Sequence, residues 1–178
     1  MRLPLLIALA LPALLRAQDA PTFAARAEVV APLQNLNDAV NGKPGAGLAL
    51  HAEFPLEGSW AWRAELGYDR FPKGPTAGSL GLRTEADVSH VSVEGIYHLR
   101  LDSGPYLLFG LGGYSWGIRS SDATLGFTTT RRVAHVGASL GFGYRMNSHL
   151  DIELRGAEGR VDPDFTAAWA GVSASWRF

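Results

Sequence analysis

The chain contains no cysteine among its 178 residues, which excludes disulfide bonds and thiol chemistry. Beyond the first 17 residues, no apolar run approaches the roughly 20 residues that a membrane-spanning helix needs. Neither sign of charge dominates, with 16 Lys and Arg against 17 Asp and Glu. A nucleic-acid partner needs a basic face, so this balance argues against one. Yet 47% of the residues are hydrophobic and 21 are glycine. The hydrophobic residues must therefore alternate with polar ones along the chain rather than form continuous apolar stretches.

Residues 1–17 have the architecture of a secretory signal peptide. Arg2 provides a positive charge at the start, and residues 3–15 are predominantly apolar. Ala17 is the small residue expected immediately before the cleavage site. Cleavage there would leave 14 basic residues against 17 acidic ones, a net charge of about −3. The remaining residues, 18–178, fit a single domain by their length.

Apolar and polar residues then alternate with a period of two, which is the pattern of a β-strand with two different faces. In the segment 45–54, for example, Leu48 and Leu50 lie on one face, and His51 and Glu53 lie on the opposite face. The segment 106–118 is apolar on both faces, so the pattern does not assign its sides. Eight segments are predicted as strands: 22–30, 45–54, 59–70, 86–99, 106–118, 130–145, 150–155 and 166–178.

The predicted connections alternate in length. Residues 55–58, 101–104 and 147–148 form tight turns, whereas 31–44, 71–85, 119–129 and 157–165 are longer links. This asymmetry and an even strand number are typical of outer-membrane barrels, in which strands must close into a sheet without edges. The alternative is a soluble lipocalin-like barrel with the apolar set inside. Eight strands leave room only for side chains, and Trp60, Trp62 and Tyr68 together would crowd that interior.

The last segment places Phe178, Trp176 and Val172 on one face and Arg177 and other polar residues on the opposite face. This ending resembles the C-terminal assembly signal of bacterial outer-membrane β-barrels. The whole mature chain resembles the small eight-stranded outer-membrane proteins of the OmpA transmembrane-domain and OmpX type. The resemblance implies an all-β fold, an eight-stranded antiparallel up-and-down transmembrane β-barrel, in the bacterial outer membrane.

The same resemblance implies a monomer without cofactor that contacts outer-membrane lipid and lipopolysaccharide. It further implies that the barrel-assembly machinery recognises the final strand through Trp176 and Phe178. The expected role is structural, or surface contact through the external loops, without catalysis. An enzyme that modifies lipid A and a narrow small-solute channel are the alternatives.

Charges of both signs lie on the polar faces of the segments, which would line the barrel interior. A buried unpaired ion costs several kcal/mol, so we expect these groups to form salt bridges that fill the lumen. A conduit for ions would require the pairs to rearrange. The predicted network comprises Arg26, Glu28, Glu53, Arg63, Glu65, Glu94, Arg145, Asp151, Glu153 and Arg155, with Asp69 and Arg177 on the same faces.

His90, Ser92 and Glu94 share one strand face and are the residue types of a nucleophile, a base and an orienting acid. Successive residues on one face are about 6.5–7 Å apart, too far for a direct bond between serine and histidine. We therefore expect a polar ladder and no catalytic site. His51, His98 and His135 show no tight spacing for a metal, and no metal site is predicted.

Three further features are expected at the two ends of the barrel. Residues 32–40 begin with Pro32 and have helical spacing, which predicts a short helix over the first loop. Glu158, Asp162 and Asp164 are expected to be solvated loop acids. Aromatic residues next to the short turns predict a periplasmic girdle at the membrane boundary: Trp60, Trp62, Tyr97, Tyr106, Tyr144, Trp176 and Phe178.

Overall fold

The computed structural model describes residues 20–79, 81–100, 103–162 and 165–178; the predicted signal peptide, 1–17, lies outside this range. Within these residues, no helix combines the length and apolar character needed to cross a membrane. The elements are β1 (Thr22–Leu33), α1 (Gln34–Val40), β2 (Gly45–Pro55), β3 (Trp60–Pro75), β4 (Leu82–His98), β5 (Gly104–Asp122), β6 (Phe127–Arg145), β7 (Leu150–Asp162) and β8 (Phe165–Arg177).

The eight strands form a closed antiparallel barrel in sequence order, as predicted. Each strand pairs with the next, and β8 closes the sheet on β1 with Ala25 opposite Trp176. The amide of Phe178 continues this ladder by donating to the carbonyl of Phe23 at 3.0 Å. Closure leaves every strand of the barrel wall with two neighbours, which is the condition for β-structure in hydrocarbon.

The two faces of each strand differ sharply in chemistry. Leu66 on β3 and Val136 on β6 are 58% and 69% exposed on the outer wall, whereas their neighbours along the strands point inward. The structure also assigns the sides of β5, which the sequence pattern left open. Tyr106, Leu108, Tyr114 and Trp116 are buried inside the barrel, and the outward set is Leu107, Phe109 and Leu111.

The strands continue further than predicted at the end opposite the short turns, which is the external end. The predicted links 71–85, 119–129 and 157–165 are therefore largely wrong. β3 extends to Pro75 and β7 to Asp162. The pairing simply continues into polar sequence, for example with Ser121 opposite Thr128. β-branched threonine suits such exposed strand positions.

The hairpin of β5 and β6 protrudes furthest. β7 pairs with β6 only as far as Gly159 opposite Gly137, whereas β5 stays paired with β6 up to Phe127. At the tip, the Asp122 carboxylate accepts hydrogen bonds from the amides of Thr124 and Leu125 at 2.8 and 3.0 Å. This local bonding stabilises the tip as an ordered turn.

The helix over the first loop is present but starts later than predicted. Pro32 pairs with Trp169 inside the β1–β8 ladder, and α1 begins only at Gln34. Leu36 and Val40 are fully buried, and α1 packs against β8, β3, β1 and β4. The helix therefore lies across the external mouth of the barrel.

Candidate functional site: the barrel interior

Glu65 is the centre of a charged network inside the barrel. Its carboxylate accepts two hydrogen bonds from Arg26, at 2.7 and 2.9 Å, and one from Arg155 at 2.8 Å. His90 Nε2 lies 3.0 Å from the same carboxylate. All four side chains are inaccessible to solvent or nearly so. Buried carboxylates of this kind are stable only when charged partners and hydrogen bonds compensate their desolvation.

Two further acids link this centre across the barrel. Glu94 accepts hydrogen bonds from Arg155 and, at 3.2 Å, from the Ser139 hydroxyl. Glu153 accepts hydrogen bonds from Arg63 at 2.5 Å and from the Tyr106 hydroxyl at 2.6 Å. Side chains from strands that are far apart in sequence thus bind the same carboxylate, and these contacts connect opposite walls of the barrel.

A third group of charges lies nearer the short turns. Arg145 donates to Glu53 at 2.7 Å, and His98 Nε2 lies 3.4 Å from the same carboxylate. Arg177 lies 3.3 Å from Asp151 and also donates to the backbone carbonyl of residue 147 at 2.5 Å. Charge pairing therefore extends to the periplasmic end of the lumen.

The structure places every charged side chain of the predicted network in the buried interior, because each occupies an inward position of its strand. Each has a charged partner within salt-bridge distance. The members are Arg26, Glu28, Glu53, Arg63, Glu65, Glu94, Arg145, Asp151, Glu153 and Arg155.

Toward the external end, the charged network gives way to a layer of mainly apolar side chains, which the sequence analysis did not predict. Buried apolar side chains from most strands pack there with Leu36 and Val40 of α1. We call this cluster the apolar plug: Val30, Leu36, Val40, Phe71, Ala86, Val88, Tyr114, Trp116, Ala157, Val161, Ala167 and Trp169. The period-two pattern could have revealed it, because Val30 follows Arg26 and Glu28 on the same inward face.

Tyr106 was wrongly predicted as a member of the periplasmic girdle. It points into the lumen, where it packs with Ala61, Ile96 and Leu108. Its ring lies across Gly143, where an added Cβ would be only 2.1 Å from Tyr106 Cζ. A glycine on the neighbouring strand thus makes the space for this ring.

The other predicted girdle residues lie on the outer wall near the short turns. Trp60 and Tyr97 are in contact, with ring centroids 4.9 Å apart, and Trp176 stacks on His149 at 5.4 Å. Trp176 and Phe178 are 57% and 72% exposed on this wall. Amphipathic rings at such positions favour the membrane boundary.

His90, Ser92 and Glu94 do not form a hydrogen-bonded triad. His90 contacts Glu65, Glu94 contacts Arg155 and Ser139, and the Ser92 hydroxyl has no hydrogen-bond partner among the described residues. Within residues 20–79, 81–100, 103–162 and 165–178, no group of three or more His, Asp or Glu side chains could hold a metal ion.

A closed barrel with an apolar outer wall, aromatic residues at one boundary and charges inside defines a transmembrane β-barrel of the bacterial outer membrane. The chain belongs to the outer membrane protein beta-barrel domain family, whose model matches residues 3–178. No curated protein matches the sequence.

Solved structures of small outer-membrane proteins share the fold at low sequence identity. Ail, the attachment invasion locus protein of Yersinia pestis, is 12% identical, with a TM-score of 0.62 over 89% of this chain and 97% of Ail. Neisserial surface protein A is 12% identical with a TM-score of 0.54, over 88% and 95% of the two chains. The N-terminal β-barrel domain of Pseudomonas aeruginosa OprF is 10% identical with a TM-score of 0.57, over 87% and 97%.

Proposed function

We propose that the protein is a non-catalytic outer-membrane barrel with a closed lumen that acts through its external surface. The observation that supports this proposal is that side chains occupy the barrel interior. The charged network occupies the periplasmic part of the lumen, and the apolar plug with α1 occupies the external part. With the interior occupied by side chains, the external hairpin and the membrane-facing wall remain for interaction.

A solute would meet two different obstacles on the way through. Arg63, Glu153 and their partners would have to separate although their side chains are inaccessible to bulk solvent, which costs several kcal/mol. The solute would then have to displace Trp116 and Trp169 of the plug. We expect no single-channel steps when the purified full chain is inserted into a planar lipid bilayer, with a general porin as the conducting control. Reproducible steps from the heat-modifiable, folded protein would refute the closed lumen.

The position of Ser92 argues against catalysis on lipid. It is buried inside the barrel and faces the charged network rather than the membrane. A lipid acyl chain would have to pass through the barrel wall to reach it. Mass spectrometry of lipid A from cells with and without the protein tests this directly, and a changed acylation or phosphorylation pattern would contradict the proposal.

The hairpin of β5 and β6 is the surface best placed for contact with other molecules. Its tip exposes Leu125 and Phe127, 73% and 42% accessible, on a turn that Asp122 holds in place. Among the described residues, the pairing of β6 with β7 ends at Gly137 opposite Gly159, so β6 extends past β7 toward the tip. Exposed apolar side chains and strand edges are both features of interaction surfaces.

The similar proteins support a surface role without defining a ligand for this chain. Ail is named an attachment and invasion protein and has been solved in complex with the heparin analogue sucrose octasulfate. Neisserial surface protein A is named for its position at the surface.

Adhesion of intact cells tests the role of the hairpin. We expect cells that express the full chain to adhere to a serum-coated surface more than cells without it. The double variant Leu125→Ser, Phe127→Ser should lose at least half of this gain, whereas Leu56→Ser in a short turn at the opposite end should not. Equal adhesion by both variants at equal surface expression would refute a contact role for the hairpin tip.

A further inference from the structure

Two buried carboxyl groups, those of Glu28 and Asp69, meet where the charged network borders the apolar plug. In the strand register both residues lie opposite Gly47, Glu28 from β1 and Asp69 from β3. An added Cβ at Gly47 would overlap the Asp69 carboxyl group and lie 3.1 Å from Glu28 Cγ. The glycine therefore lets the two side chains meet above it, and their carboxyl groups are within hydrogen-bonding distance.

The two carboxyl groups differ in their partners. Arg26 Nη2 donates to Glu28 Oε1 at 3.0 Å, and only Oε2 of Glu28 has no hydrogen-bond partner among the described residues. Both oxygens of Asp69 are without such a partner in the same part of the chain, and its side chain is inaccessible to solvent. Within the described residues, every carboxylate of the predicted network has an arginine within salt-bridge distance, whereas Asp69 has none.

The remaining titratable and charged groups that face the pair do not compensate Asp69. His90 Nε2 lies 3.0 Å from Glu65, and His90 Nδ1, 3.8 Å from Asp69, has no hydrogen-bond partner among the described residues. A neutral imidazole with its proton on Nε2 has none to donate from Nδ1. Arg155 of β7 donates to Glu65 at 2.8 Å, and Tyr114 of β5 stacks on His90 with ring centroids 5.5 Å apart.

The external side of the pair is apolar. The next inward residue toward the external end is Val30 on β1 and Phe71 on β3. Val88 of β4 lies opposite Asp69 in the strand register. All three belong to the apolar plug and are fully buried. An ionised Asp69 carboxylate would therefore face a second carboxylate and apolar side chains, which leaves its charge without compensation.

We propose that Asp69 is protonated in the folded barrel and donates a hydrogen bond to Oε2 of Glu28. One proton then satisfies two carboxyl groups that would repel each other if both were ionised. Glu28 stays ionised and keeps its contact with Arg26. The charged network thus ends in a neutral acid where the apolar plug begins, and no uncompensated charge faces the plug.

A proton held only in the folded state makes the stability of the barrel depend on pH. An aspartate of the unfolded chain is ionised above about pH 4, so unfolding at neutral pH releases the proton of Asp69. The equilibrium constant for unfolding should therefore rise about tenfold per pH unit through this group, until the folded barrel loses the proton as well. Other groups add their own pH dependence. The variant Asp69→Asn isolates this contribution, because asparagine keeps a hydrogen-bond donor but does not titrate.

Urea unfolding of the refolded full chain at several pH values tests the proposal. We expect the unfolding constant of the wild type, divided by that of Asp69→Asn, to rise roughly a hundredfold from about pH 5.5 to about pH 7.5. Glu153→Gln is the matched control, because it removes a buried carboxylate that Arg63 compensates. Its ratio to the wild type should not change with pH. A constant ratio for Asp69→Asn, or an equal rise for Glu153→Gln, would overturn the proposal.

Infrared spectroscopy detects the proton in the folded wild type and does not depend on reversible unfolding. We expect the carbonyl stretching band of a protonated carboxylic acid at neutral pH, absent in Asp69→Asn and retained in Glu153→Gln. A wild-type spectrum without this band would favour a protonated His90 or a bound cation in place of the acid proton. A band that persists in Asp69→Asn would assign the proton to another carboxyl group. Either result would refute a protonated Asp69.

Discussion

Replacing Glu65 by Gln should destabilise the folded barrel by about 3 kcal/mol, because the charged network depends most on this carboxylate. Glu65 accepts three hydrogen bonds from Arg26 and Arg155 and lies 3.0 Å from His90. Hydrogen bonds to charged groups contribute about 1.5–3 kcal/mol each. The loss stays below their sum because Glu28 and Glu94 still contact the two arginines. Glutamine keeps the shape but points an amide donor at guanidinium donors.

The free energy of unfolding can be measured by urea titration of the refolded protein, with heat-dependent gel mobility as a second readout of folding. Glu28→Gln is the matched control, since it removes an equally buried carboxylate that contacts Arg26 once, at 3.0 Å. We expect it to cost about 1–2 kcal/mol. If the two variants unfold at the same urea concentration, Glu65 is not the centre of the network, and the energetic reasoning from shared carboxylates fails.

Three further outcomes follow from single positions. Gly143→Ala should cost about 1–3 kcal/mol in urea unfolding because its Cβ would overlap the Tyr106 ring, whereas Gly113→Ala, with open space around it, should match the wild type. Ser92→Ala should leave the mass spectrum of lipid A unchanged, and loss of a wild-type modification in the variant would contradict this. A chain that lacks Phe178 should be exported but fail to insert, seen by fractionation and gels run before and after boiling; insertion at wild-type levels would refute the assembly signal.

The alternating pattern predicted the closed eight-stranded barrel because lipid imposes opposite chemistry on the two faces of a strand. Leu66 and Glu65 are adjacent in sequence yet belong to the outer wall and the central network. A period of two also identifies inward charges one strand at a time. The pattern does not show which inward charges form ion pairs with each other. The pairing of Arg155 with Glu65 and Glu94, for example, depends on how the barrel closes.

The pattern failed where both faces have the same character. β5 carries glycine and aromatic residues on both sides, so Tyr106 was assigned to the membrane girdle although it fills the lumen. Toward the external end the outward face becomes polar, and residues 119–122 and 127–129 were predicted as part of a loop although they belong to β5 and β6. In the structure, cross-strand pairing continues in this region, for example between Arg119 and Thr130. Both strand faces are largely polar there, so no alternation of apolar and polar residues marks the strands.

The apolar plug has a consequence for how the charged network works. Salt bridges in the lumen are strong only while water is excluded, since their attraction falls as the local dielectric rises. Leu36 and Val40 of α1 complete the plug, and α1 is held at both ends, by the Thr166 amide bonded to Asn35 and the Ala77 amide bonded to the carbonyl of residue 38. Weakening the network alone, as in Glu65→Gln, therefore leaves the external end sealed. A conducting Glu65→Gln barrel would show that the plug does not exclude water and that the two parts of the lumen are not independent barriers.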